Sequence, residues 1–92
     1  MNTAIQHNQN KQRFEVHVGN HMGYMTYQLH SDYIDYTHTI VPKELGGHGL
    51  GTDLVKYGLA YARVNHLKVK PTCSFVAAMI NKNKVYQDLL NE

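Results

Sequence analysis

The chain has 92 residues, with nine Lys and Arg against seven Asp and Glu, 42% hydrophobic residues, one cysteine and no tryptophan. A chain this short buries a smaller share of its surface than an average domain, so it is read as one domain with a single sheet, about two helices and no room for a second substrate domain. A formal net charge of +2, with most lysines standing alone, is too mild for a nucleic-acid or membrane-surface partner. No apolar run approaches the roughly 18 to 20 residues of a membrane span, and residues 1–12 are polar rather than signal-like. These features predict a soluble, cytoplasmic protein. Cys73 alone can form neither an internal disulfide nor a cysteine-based zinc site, in keeping with a reducing compartment.

Residues 1–11 (MNTAIQHNQNK) carry too few apolar side chains to offset the entropy of ordering and are predicted to be a loose tail, leaving 12–92 as the folded domain. From Arg13 the pattern alternates. Phe14, Val16 and Val18 share one face and Glu15 and His17 the other, a first strand stopped by Gly19-Asn20. Met22 to His30 and Tyr33 to Val41, separated by Ser31-Asp32, read as two further strands joined through hairpins. Pro42 ends the third, and a glycine-dense loop follows. Leu50, Leu54, Val55, Gly58, Leu59 and Ala62 then fall at helical spacing over about four turns, with Asp53 in the first turn and Arg63 in the last, as the helix dipole favours. Leu67 to Pro71 is a short strand whose pairing should fail at the proline, which has no N–H to give. A second helix is predicted from Ser74 to Asn81, and a shorter helical piece from Val85 to Leu90. The order β-β-β-α-β-α predicts an α+β mixed sheet, mostly antiparallel, with one parallel strand-helix-strand crossover.

Gly46, Gly47, Gly49 and Gly51 lie between a strand and a helix start. Glycines there let several backbone N–H groups converge on one ligand, and the helix N-terminus adds positive partial charge, so the natural ligand is a phosphate or pyrophosphate. The alternative is a flexible turn and nothing more. Neither well-known phosphate loop fits. The Walker spacing from Gly46 to Gly51 lacks its lysine, with Thr52 following directly, and a dinucleotide fingerprint taken from Gly47 would need its last glycine at Thr52.

Two side chains near this loop could carry chemistry. A thiol is the strongest nucleophile the chain owns, although only a few per cent of an ordinary thiol is ionised at neutral pH. Cys73 sits after a strand and just before a helix start, where open N–H groups favour negative charge on sulphur. Its plainer reading is a small buried residue at a strand end. His38, on the third strand with Ile34, Tyr36 and Ile40 placed on its face, is a candidate base, since imidazole takes protons near neutral pH. Its plainer reading is a packed, hydrogen-bonded histidine. The crossover makes the two strands neighbours or near neighbours, so Cys73 and His38 form a candidate nucleophile and base pair. The remaining histidines show no metal-ligand spacing and no metal is expected. Lys68, Lys70, Lys82 and Lys84 either flank an acidic ligand or form a solvated face.

Val41-Pro-Lys-Glu-Leu-Gly-Gly-His-Gly-Leu-Gly51 followed by an amphipathic helix resembles the acetyl-CoA loop of the GCN5-related N-acetyltransferases. His38-Thr39 before that loop, with Pro71-Thr-Cys-Ser-Phe-Val-Ala-Ala78 after the next strand, is similar to their very small single-domain subgroup. The resemblance spans about residues 13–90. It implies an acyltransferase that moves an acetyl group from acetyl-CoA to an amine acceptor, which is a small molecule or a protein; the sequence itself leaves the oligomeric state open, with a monomer or weak homodimer expected. It also implies backbone contacts to the pyrophosphate from Gly47, His48, Gly49, Leu50, Gly51 and Thr52, and to the pantetheine arm from Thr39, Ile40 and Val41. Cys73 matches the place of a cysteine considered in this subgroup as an acetyl acceptor. One departure stands out: Gly46 occupies the position of the family's usual Arg or Gln. That leaves open a second reading, a coenzyme A-binding module without efficient chemistry.

Overall fold

The computed structural model describes residues 4–91. Five strands form one sheet in the order β1-β2-β3-β4-β5: β1 (Ile5–Asn8), β2 (Arg13–Val18), β3 (His21–Leu29), β4 (Tyr33–Ile40) and β5 (Lys68–Lys70). The first three pairings are antiparallel and β4 pairs with β5 in parallel, across the helix α1 (Leu50–Val64) that connects them. Helix α2 (Ser74–Lys82) and a 3-10 segment (Lys84–Leu89) follow. The mixed α+β sheet with one parallel crossover therefore stands as the sequence predicts.

The expected tail is a correction. Ile5–Asn8 is a strand, in register with Val16 back to Arg13, and residues 1–3 lie outside the described residues. Its composition hides the reason. Ile5 packs on the core, and the His7 ring lies 4.5 Å from Phe14 and 4.9 Å from Tyr61, centroid to centroid, while its Nε2 is 2.6 Å from Tyr27 Oη. Burial pushes the His7 imidazole below its ordinary pKa, so the ring sits there as a neutral aromatic.

The core lies between one face of the sheet and the helices. Phe14, Val16, Met25, Tyr27 and Tyr36 meet Leu54, Val55, Leu59 and Ala62 of α1. Gly58 is where helix and sheet approach most closely: a β-carbon there would stand 2.4 Å from Met25 Cε and 3.0 Å from the Tyr36 ring. Tyr36 Oη donates a 2.6 Å hydrogen bond to Gly58 O, and burial raises the phenol's pKa, which keeps it a donor. Glu15, on the other face of β2, is buried as well. It accepts from Arg13, His17 and Asn8, and these bonds, Arg13's above all, hold its carboxyl down to about 2.

Candidate coenzyme cleft

Residue count along β4 decides what the site contains. Tyr27 pairs with Tyr36 but Thr26 pairs with His38, so Thr37 is one residue more than β3 can match. The result is a β-bulge, and an extra residue reverses the inward and outward alternation beyond it. Tyr36 faces the core before the bulge; after it, Thr39 does, opposite the buried Met25. His38 and Ile40 turn to the other face, where both are exposed. The expected common face for Ile34, Tyr36, His38 and Ile40 is thereby corrected.

Parallel pairing with β5 covers only Tyr33 to Asp35, matched with Lys68 to Lys70, and stops one residue before Pro71, as that proline predicts. The chain then turns. Cys73 N donates to Tyr36 O at 2.8 Å, and Thr72 Oγ1 donates to the Asp35 carboxylate at 2.5 Å, which ties the turn to β4. Past Tyr36, β4 has no backbone partner on its β5 side among the described residues, so its polar groups there are open to a ligand. Cys73, 9% exposed, is the N-cap residue of α2 with extended backbone. Its Sγ is 3.4 Å from Thr39 Oγ1. The side chain at the thiol is thus Thr39; no hydrogen bond joins Cys73 to His38 among the described residues.

The glycine loop closes this end. After Pro42 a 3-10 turn, Lys43–Leu45, buries Leu45, and the chain passes through Gly47 at φ 81° and Gly49 at φ 73°. Residues with a β-carbon rarely adopt that conformation, which explains glycine at both places. Gly49 is the N-cap of α1 and brings no side chain to cap it. The first amide to bond back is Asp53 N, to Gly49 O at 3.0 Å, so the amides of Leu50, Gly51 and Thr52 are open and carry the positive end of the helix dipole. A cleft of about 400 Å³ lies against them, lined by Thr39, Val41, Leu45 to Gly47, Gly49 to Thr52 and Phe75.

Seven of the eleven site residues expected from sequence therefore meet in this cleft: Thr39, Val41, Gly47, Gly49, Leu50, Gly51 and Thr52. Cys73 touches it through Thr39. Ile40, His48 and His38 are exposed and do not line it. Phe75, absent from that set, forms a wall, its ring edge 3.2 Å from where a Gly51 β-carbon would sit. The signal available was its place in the first turn of α2, two residues after Cys73, but nothing local says that this turn crosses the start of α1. Lys68 is not at the cleft, its Nζ donating to Asp88 O at 2.6 Å. No group of three or more His, Cys, Asp or Glu side chains is placed to hold a metal among the described residues.

A sheet opened between two parallel strands, beside a glycine loop that starts a helix, leaves a row of backbone groups open to a ligand. The family model described as GCN5-related N-acetyl-transferase matches residues 13–89, and the chain belongs to that family. It is also similar to an NMR solution structure of a GCN5-like candidate N-acetyltransferase from Staphylococcus aureus: 33% identity, TM-score 0.75, over 96% of this chain and 87% of that one. No curated protein matches the chain in sequence.

Proposed function

We propose that the protein binds acetyl-CoA in this cleft and transfers its acetyl group to an amine. The observation that carries the reading is the row of open amides at Leu50, Gly51 and Thr52, reached through two left-handed glycines and facing a 400 Å³ cleft. Such a row binds a pyrophosphate by backbone N–H groups alone, so Gly46 in place of an Arg or Gln does not remove the anion site. The free backbone from Thr39, near the end of β4, to Val41 just beyond it is the surface for the amide-bearing pantetheine arm, with Phe75 and Val41 as apolar walls.

Such an arm, laid along β4 from the loop, runs toward Thr39 and Cys73. Two routes remain. In direct transfer the acceptor amine gives its proton to water, attacks the thioester carbon, and coenzyme A leaves as its thiolate. In the covalent route the Cys73 sulphur forms the new bond to the acetyl carbon as coenzyme A leaves, and the amine then displaces Cys73. Thr39 Oγ1 is placed to donate to a charged sulphur in the second route. His38, exposed beyond the bulge, is given no proton in this reading. His38→Ala should leave turnover within about twofold, since a positioned general base contributes about 100-fold or more.

The test is intact-mass analysis after incubation with acetyl-CoA, for the wild type and Cys73→Ala. An acetyl adduct on Cys73, with turnover abolished in the variant, supports the covalent route; no adduct and persisting turnover eliminate it. Coenzyme A binding without transfer to any amine in a panel would leave a coenzyme-binding module, and no binding would overturn both readings.

A further inference from the structure

We infer, on the transfer reading above, that Asp35 holds the acceptor and that the acceptor is a diamine: one ammonium group binds the Asp35 carboxylate while the second nitrogen, uncharged, attacks the acetyl group. Glu15 and Asp35 are the two buried charged side chains among the described residues, and their surroundings differ. Glu15 has both oxygens occupied and a guanidinium beside it. Asp35, 9% exposed, has one oxygen occupied, by Thr72 Oγ1 at 2.5 Å. Its other oxygen accepts no hydrogen bond among the described residues, yet it is not sealed from solvent. No cation stands within ion-pair distance of it among those residues, and Lys70, its register neighbour on β5, is exposed. A carboxylate largely out of water and without a counter-charge is costly. A cation that reaches this oxygen is therefore held more tightly than at an exposed carboxylate.

Its place in the sheet says what that cation belongs to. Asp35 is the last residue of β4 paired with β5, and the Thr72 bond points its carboxylate at the turn that delivers Cys73. Opposite Gln28 and next to core-facing Tyr36, it lies on the sheet face away from the helices, whereas the cleft lies on the helix side, with Thr39. Donor and acceptor thus come to the open edge of β4 from different sides. Thr39 stands four residues beyond Asp35, about 13 Å along an extended strand. An ammonium at Asp35 is therefore not the nitrogen that reacts beside Thr39 and Cys73, and a nitrogen that attacks needs its lone pair free. Two nitrogens on one flexible chain meet both needs. The free amine bonds to the acetyl carbon as the thiolate of coenzyme A, or of Cys73, leaves, and the surplus proton of the new amide passes to water. The ammonium on Asp35 takes no part in the bonds that change.

Steady-state acetylation of cadaverine and of pentylamine, a monoamine of the same chain length, tests this in the full chain. The kcat/KM ratio of cadaverine to pentylamine should be about tenfold higher in the wild type than in Asp35→Asn, the scale of one charge-assisted hydrogen bond. The amide oxygen of the variant still accepts from Thr72, and a residue that served folding alone would lower both amines together and leave the ratio unchanged. Binding is read apart from transfer. Without coenzyme, cadaverine should shift the Asp35 and Thr72 amide signals of the wild type saturably in two-dimensional NMR, and pentanol should not. Equal ratios in the two proteins, or no cadaverine shifts at Asp35 and Thr72, would overturn the proposal; the second result decides alone if Asp35→Asn does not fold. Acetylated amines with equal ratios would refute the Asp35 site and leave acetyl transfer standing. Saturable shifts at Asp35 with no amine acetylated would instead overturn the transfer reading while the cation site stands.

Discussion

The two ends of the sheet treat polar groups in opposite ways. At the β1-β2 end the buried carboxylate of Glu15 takes hydrogen bonds from Arg13, His17 and Asn8, and the half-buried His7 meets Tyr27 Oη beside an open polar hollow of about 540 Å³. At the β4-β5 end pairing stops after three residues, and neither α1 nor α2 has a side chain capping its first turn. A saturated network holds a structure together. Open amides beside a cleft are groups whose partner comes from outside. On the proposed function, the difference separates the part that holds the domain together from the part that binds coenzyme A.

Substitutions can break that division, and the largest effect is expected under α1. Gly58→Val should cost about 3 kcal/mol of folding free energy by overpacking Met25 and Tyr36, read as a lower urea midpoint. Next comes the β1-β2 end: Glu15→Gln should lose about 2 kcal/mol, as for a buried hydrogen-bonded charge, with no change in coenzyme A affinity. The same carboxylate sets an acid response. Its folded pKa of about 2 lies below the ordinary 4.5, so its contribution is complete above about 4.5 and drains away as pH falls toward 2. Urea midpoints at pH 7, 4 and 2 should show this loss in the wild type and far less of it in Glu15→Gln. At the open end the pattern should invert. Gly49→Ala should lower coenzyme A affinity about tenfold, about 1.4 kcal/mol, while stability falls by about 1 kcal/mol for a β-carbon at positive φ. The smallest effect belongs to Asp88→Asn, whose exposed pair with Arg63 should leave the urea midpoint unchanged.

Much of this arrangement was legible in local pattern. The alternation of Phe14, Val16 and Val18, the helical spacing from Leu50 to Ala62, the stop at Pro71 and the glycine loop all describe short-range preferences, and the structure keeps them. Two features depend on distant partners. β1 looks like a tail because Gln, His and Asn are poor core formers, yet β2 supplies its ladder and Phe14, Tyr27 and Tyr61 supply a socket for His7. The bulge at Thr37 is likewise invisible within β4, since it is defined by a mismatch with β3. Missing it places His38 beside the core and hides Thr39 as the neighbour of Cys73. Phe75 escapes for the same kind of reason, because its role depends on where the first turns of α1 and α2 meet.

The account rests on the open amides at the start of α1. Amide chemical shifts followed by two-dimensional NMR during titration with coenzyme A test it most directly. The largest changes should fall on Gly47, Gly49 to Thr52 and Thr39 to Val41, with β1 and β2 unmoved. Saturable shifts centred on the Glu15 end, or no shifts at all, would contradict it.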